Sequence, residues 1–162
     1  MADTIRPATA ADIDTIKQIA IDTNMFETDE VGFFDEMITG FIEGAMPENH
    51  WLVAEHNSEV VAGAYYAPEP FSDRMWNLYF ISVAPHHQSR GTGGALLDYV
   101  EQQLRARGTD TARVLIVETS STEQYSRTRA FYRQHHYDEE ARIRQFYGPD
   151  DDKVVFWKSL DG

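Results

Sequence analysis

The chain has 162 residues, 42% of them hydrophobic, and a formal net charge of −13; this length suits one hydrophobic core and a single domain over 1–162, while the acidic balance argues against a nucleic-acid backbone as partner. Cysteine is absent, which excludes disulfides, thiolate metal sites and a cysteine nucleophile on the protein. No apolar run reaches the roughly 20 residues of a membrane span, and 1–11 carries no apolar stretch behind a basic start, so a cytoplasmic protein is expected. An acidic surface can attract a cationic amine, but solubility or adaptation to high salt explains the same charge, and net charge says little about one pocket.

Thr4-Ile5-Arg6-Pro7-Ala8 reads as a short strand. Thr9 followed by Asp12 resembles a capping box with Asp in place of Glu. Ile13, Ile16, Ile19 and Ala20 then recur at helical spacing and predict a helix to about Asp22. Residues 23–30 read as a polar loop exposing Met25 and Phe26, and 31–45 as a second helix with Phe34, Met37, Ile38 and Phe41 on one face. Trp51–Glu55 and Val60–Ala67 are the arms of a hairpin around the turn residues His56-Asn57-Ser58-Glu59. After a loop over 68–74, Trp76–Val83 forms a third strand of that region, stopped by Pro85. Leu96, Leu97, Val100 and Leu104 mark a helix from near Thr92 to Gly108. Val114-Leu115-Ile116-Val117 is a continuous apolar run, as in a central strand buried on both faces. A helix over 125–136 and strands over 137–146 and 153–158 complete an order of β-α-α-β-β-β-α-β-α-β-β.

Between the Trp76–Val83 strand and its helix lies Val83-Ala84-Pro85-His86-His87-Gln88-Ser89-Arg90-Gly91-Thr92-Gly93-Gly94-Ala95-Leu96-Leu97. A strand that stops at proline, a glycine-rich turn and an amphipathic helix place unpartnered amides and the positive end of a helix dipole together. That arrangement binds an anion. Glycine at 91 and 93 lets a phosphate approach the backbone, Gln88 can donate through its amide, and Arg90 adds charge. No Gly-Lys-Ser/Thr follows, as a nucleotide-triphosphate loop requires, and Leu96 stands where a dinucleotide fingerprint needs Gly or Ala.

The remaining pattern, Gln-x-x-Gly-x-Gly at 88–93 with Val-x-Pro before it and Ala-Leu-Leu after it, resembles the pyrophosphate-binding motif of the GNAT acetyltransferase superfamily. The opening Ile5–Thr9 and the element order resemble the same family. So does Phe131-Tyr132-Arg133-Gln134-His135-His136-Tyr137, where His136 stands in place of the family's glycine. The resemblance implies an α/β (α+β) fold with a mixed, mostly antiparallel sheet of about six or seven strands splayed in a V and flanked by about four helices. It implies acetyl-CoA as cosubstrate, with Ile81, Ser82 and Val83 pairing with the pantetheine arm and Gln88, Ser89, Arg90, Gly91, Thr92, Gly93 and Gly94 holding the pyrophosphate. The CoA thiolate would depart near Tyr132, the expected general acid, whose phenol keeps its proton at neutral pH; without that role Tyr132 is a core aromatic.

The base is open. The family's usual carboxylate, four positions before the valine of Val-x-Pro, is here Tyr79, and Asn77 two residues earlier is not ionisable. Glu118, at the carboxyl end of the buried run, is the first candidate, directly or through water; the alternative for it is a cap or an ion pair with Arg127 or Arg129. Tyr79 or a water chain is the fallback. His86-His87 and His135-His136 lack metal-ligand spacing with nearby carboxylates, and Asp150-Asp151-Asp152 lacks the alternating ligands of a calcium loop, so no metal is expected. Phe26, Phe34, Phe71, Trp76 and Tyr147 are candidates to line an acceptor pocket, Phe34 and Trp76 being better core residues. The apolar Lys153–Trp157 strand, placed near a sheet edge, suggests a homodimer. The expected function is N-acetyl transfer from acetyl-CoA to a primary amine of a small molecule or peptide. A catalytically weak acyl-CoA-binding regulatory module and an acyltransferase for longer acyl-CoA are the alternatives.

Overall fold

The computed structural model describes residues 3–161. Seven strands form one open mixed sheet: β1 (Thr4–Pro7), β2 (His50–His56), β3 (Glu59–Pro68), β4 (Met75–Val83), β5 (Val114–Ser120), β6 (Asp138–Gly148) and β7 (Asp151–Ser159), in the order β1-β2-β3-β4-β5-β7-β6. Four α-helices accompany them: α1 (Ile13–Asp22), α2 (Phe33–Ile42), α3 (Thr92–Ala106) and α4 (Ser126–Gln134). β4 and β5 run parallel, over Met75–Leu78 against Val114–Val117; β1–β2, β2–β3, β5–β7 and β6–β7 are antiparallel. The expected element order and the mixed sheet are both present.

The chain divides into two compact units, one of residues up to Ala67 with Tyr79–Val100, the other of Pro68–Leu78 with the residues from Glu101 onward. In the first, Ile16, Ala20, Val31, Phe34, Ile38, Trp51, Val53, Tyr65 and Phe80 are buried together. The helical spacing that placed Ile16 and Ala20 on one face of α1 is what puts them there. Met25 and Phe26, expected exposed, are half-buried against this core instead: Phe26 meets Phe33 and Phe34 edge-on at centroid distances of 5.8 and 5.3 Å. Rings of that size lose too much by staying in water when a core edge is in reach. The second helix is shorter than expected, because Gly44 takes a φ of +79° and ends it. Thr9 N–H donates to Asp12 Oδ2 at 2.7 Å, the half of the capping box that Asp can make, and Arg6 holds the same carboxylate with two hydrogen bonds of 2.8 and 3.0 Å.

In the second unit Trp76, Leu78, Val114–Val117, Tyr132, Val154 and Phe156 are buried. A buried charge network joins them. Glu101 accepts from Tyr137 Oη at 2.8 Å and from Arg105 Nη1 at 3.2 Å, and pairs with Lys158 Nζ at 2.9 Å. A buried carboxylate is tolerated only with such partners. The Lys153–Trp157 segment is not an edge. It lies inside the sheet with β5 on one side and β6 on the other, and β6, exposed along nearly its whole length, is the edge strand. Its Asp138, Glu139, Glu140, Arg142 and Arg144 are the charges that blunt an open edge. His136 does occupy the left-handed region that the family's glycine would take, with φ +70°. Among the described residues no helix is long and apolar enough to cross a membrane.

Candidate active site

The glycine-rich turn expected to bind an anion belongs to the first unit. β4 ends at Val83, and Ala84 N–H donates to Val61 O at 2.8 Å. Pro85 then starts a single 3-10 turn over Pro85–His87, as its fixed φ and missing N–H favour. Ser89 and Gly91 both take positive φ, +65° and +85°, so the chain reverses and enters α3. Open space surrounds the position where a Cβ on Gly91 would stand, so conformation, not crowding, demands glycine there. Ala95 N–H makes the first bond of α3, to Gly91 O at 3.0 Å. The amides of Thr92, Gly93 and Gly94 precede that bond and have no partner within the helix, where the dipole is positive.

The side chains of the turn divide by direction. Arg90 is exposed, whereas the Thr92 side chain is buried and donates to an Asp3 carboxylate oxygen. Gln88 Nε2 donates to Val83 O at 3.0 Å, so it braces the turn and occupies a carbonyl that the resemblance assigned to pantetheine. Ser82 is buried with its hydroxyl donating to Thr23 Oγ1 at 3.0 Å, and Ile81 is half-buried.

A side-chain cluster centres on Glu118 in the second unit. Asn77 Nδ2 donates to Glu118 Oε1 at 2.9 Å and to Glu69 Oε2 at 3.1 Å. Lys153 Nζ lies 2.8 Å from Glu118 Oε2 and 3.5 Å from the Phe146 ring centre. The ion pair foreseen with Arg127 or Arg129 is therefore made by Lys153. Arg129 turns elsewhere, donating to the carbonyls of Ser120 and Thr122 at 2.8 Å each. Although the Tyr147 side chain is largely exposed, local desolvation of its hydroxyl pushes it up to about 12, and the Glu118 and Asp151 carboxylates add to the shift.

Asn77 is 0% exposed, and its Oδ1 has no hydrogen-bond partner among the described residues. The orientation is fixed all the same, since reversing the amide would aim oxygen at two carboxylates. Sequence reasoning passed over Asn77 as not ionisable and did not consider Glu69 or Lys153. The available signal was a polar residue in the middle of the apolar strand Met75–Val83, which has to find partners.

Tyr132 is 2% exposed, with ring centres of Phe131, Phe156 and Tyr137 at 5.3, 5.5 and 5.8 Å. Burial drives its phenol far above the ordinary range, so it stays protonated at every working pH. Tyr79, the fallback base, is 41% exposed and stacks on Tyr65 at 5.5 Å in the first unit. Of the aromatics proposed for an acceptor pocket, Phe34 and Trp76 are core, Phe26 is half-buried, and Phe71 and Tyr147 are exposed.

Residues 14–137 match the model of the acetyltransferase (GNAT) family. A protein of Desulfovibrio desulfuricans assigned to the GNAT family superposes with a TM-score of 0.89 at 30% identity, covering 98% of this chain and 99% of that one. The Salmonella typhimurium protein yncA, solved with its cofactor acetyl-CoA, superposes with a TM-score of 0.80 at 21% identity over 99% and 95% of the two chains. The ribosomal-protein-S18-alanine N-acetyltransferase of Escherichia coli does so with 0.77 at 18% over 99% and 96%. A search of curated protein sequences finds no match. The family model spans most of the chain and the 30% identical relative spans nearly all of it, so the chain belongs to the GNAT acetyltransferase family.

Proposed function

We propose that the protein transfers the acetyl group of acetyl-CoA directly to a primary amine of a small molecule or peptide. The observation that carries the reading is the turn before α3, where a positive-φ glycine leads into the head of a 15-residue helix, whose first amides have no partner within the helix. Gln88, Ser89, Arg90, Gly91, Thr92, Gly93 and Gly94 hold the pyrophosphate in this reading, and the backbone of Ile81–Val83 holds the pantetheine arm. The neutral amine nitrogen attacks the thioester carbonyl carbon and the carbon–sulfur bond breaks. The amine loses its proton to Glu118, directly or through water, and the CoA thiolate takes one from Tyr132. With no cysteine in the chain, direct transfer needs no thioester on the protein.

One observation favours a second reading, a weakly catalytic acyl-CoA-binding module: both Glu118 oxygens already have donors in Asn77 and Lys153. Calorimetry with acetyl-CoA, paired with release of CoA thiol over a panel of amines, separates the two. Binding with turnover supports transfer; binding without turnover on any amine supports the module. Unaltered acetyl-CoA affinity in a folded Gly91→Asp protein removes both, because that change puts a side chain and a negative charge where the pyrophosphate would lie. A homodimer belongs to the same reading, and the edge nearest the Lys153–Trp157 segment is β6, which covers it; light scattering that shows only monomer at micromolar concentration removes it.

A further inference from the structure

Three donor groups that lie far apart in sequence meet in the first unit. Asp3 precedes β1, His56 ends β2, and His87 closes the 3-10 turn before α3. His56 Nδ1 is 3.0 Å from Asp3 Oδ1, and His87 Nε2 is 3.5 Å from the same oxygen. All three donor atoms lie within 4.8 Å of one another. His87 is 4% exposed, and the side chains of Asp3 and His56 are 11% and 25% exposed.

Hydrogen bonding explains this cluster only in part. The His56 contact has hydrogen-bond length, but 3.5 Å from His87 is beyond the 2.7–3.2 Å of an ordinary N–H···O bond. Both distances instead bracket the edge of a tetrahedron drawn with zinc–ligand bonds of about 2.05 Å, which is about 3.3 Å. The second carboxylate oxygen is not idle: the Thr92 hydroxyl donates to it. A carboxylate with one oxygen turned toward two imidazoles and the other held by a hydroxyl is oriented as metal-site carboxylates are. Two imidazoles and one carboxylate form a donor set that suits a borderline divalent cation, and leave one tetrahedral position for water.

We propose that Asp3, His56 and His87 form a binding site for a divalent transition-metal ion of the zinc class, oriented by Thr92. The ion ties the segment before β1, the end of the β2–β3 hairpin and the start of α3 to one point. Residue spacing alone hides the site, because the carboxylate of the His86-His87 pair lies 84 positions upstream, at Asp3.

The test uses the full chain without a polyhistidine tag, stripped with chelator and titrated with Zn2+ against a chromophoric competitor. The expected result is one equivalent bound at micromolar affinity or better. Thr92→Val should weaken Zn2+ binding about 10- to 100-fold, as loss of an orienting partner does. Removing a ligand, in Asp3→Ala or in His56→Ala, should cost at least as much. His56 and Asp3 are chosen because His87, nearly enclosed, is the position where replacement most endangers folding. His86→Ala, an exposed change whose imidazole faces Glu59 at 2.8 Å, should bind as wild type. Co2+ in place of Zn2+ should give the strong visible absorption of a tetrahedral site. Wild-type binding no tighter than that of the Asp3→Ala/His56→Ala double variant overturns the proposal, and so does equal weakening by His86→Ala.

Discussion

The turn before α3 and the cluster around Glu118 are built by opposite means. The turn works through its backbone: a proline, two residues with positive φ and a helix start, all within about ten consecutive positions. Its charge is the partial charge of amides that no helix can satisfy, so it needs no titratable side chain. The Glu118 cluster works through side chains drawn from Glu69, Asn77, Glu118 and Lys153, brought together by β4, β5, β7 and the loop before β4. Its polarity depends on protonation and on every partner being in place. A backbone site should be sensitive to conformation and indifferent to pH, whereas a side-chain site should be the reverse.

The largest expected effect tests whether catalysis resides in side chains at all. Tyr132→Phe removes one oxygen from a ring that aromatic packing holds on its own, so stability and acetyl-CoA affinity should stay near wild type. If Tyr132 protonates the thiolate, kcat should fall about 100- to 10,000-fold. Wild-type kcat in steady-state assays would leave Tyr132 as a packing residue and remove the acid assignment.

Glu101→Gln asks what a buried charge network does without chemistry. Lys158 and Arg105 would lose the carboxylate that faces them, and a buried pair with one partner removed typically costs about 3–5 kcal/mol. Chemical denaturation should show that loss with an unchanged m-value. A loss under about 1 kcal/mol would mean that solvent, reaching the partly exposed Lys158 and Arg105, replaces Glu101.

Glu118→Gln comes next. The rate should fall about 100-fold, the lower end for a general base, and the acid limb of the pH–rate profile should disappear. Acetyl-CoA affinity should change little, because the binding proposed for the turn is through amides. An unchanged pH profile would pass the proton to Tyr79 or to ordered water.

The same division explains what could be read from sequence. Proline, glycine and the periodic Leu96, Leu97, Val100 and Leu104 specify the turn and α3 locally, so their position was legible. His136, a departure that put the helix-end geometry in question, takes the left-handed conformation with φ +70°. Contacts across long separations were not legible. Asn77 is 41 positions from Glu118, and Lys153 is 35 from it, so nothing local could choose Lys153 over Arg127 or Arg129 as its partner. Lys153–Trp157 does lie near an edge, but that β6 covers it was not legible, for a related reason. An apolar strand in an antiparallel pair can lie inside the sheet or at its margin, and the charges that mark a margin lie on the neighbouring β6.

The smallest effect concerns Asp12, where a local motif and a long-range partner act on one carboxylate. Hydrogen bonds from Arg6 hold Asp12 below its ordinary value most strongly, opposed by desolvation, with Thr9 N–H and the Arg6 charge adding to the lowering. A carboxylate whose value is lowered on folding contributes stability that is fully present above its unfolded value, about 3.9. That contribution declines as pH falls from there through the lower folded value and is lost below it. Asp12→Asn keeps an acceptor for Thr9 N–H but gives up the charge-assisted pairing, and Arg6 retains Glu55 at 2.8 Å. The cost at pH 7 should be about 1–2 kcal/mol. Urea unfolding at pH 7 and at pH 3 should show the gap between wild type and variant narrowing at the lower pH. No gap at either pH would mean that Asp12 acts through the cap alone, because Asn still accepts the hydrogen bond from Thr9 N–H.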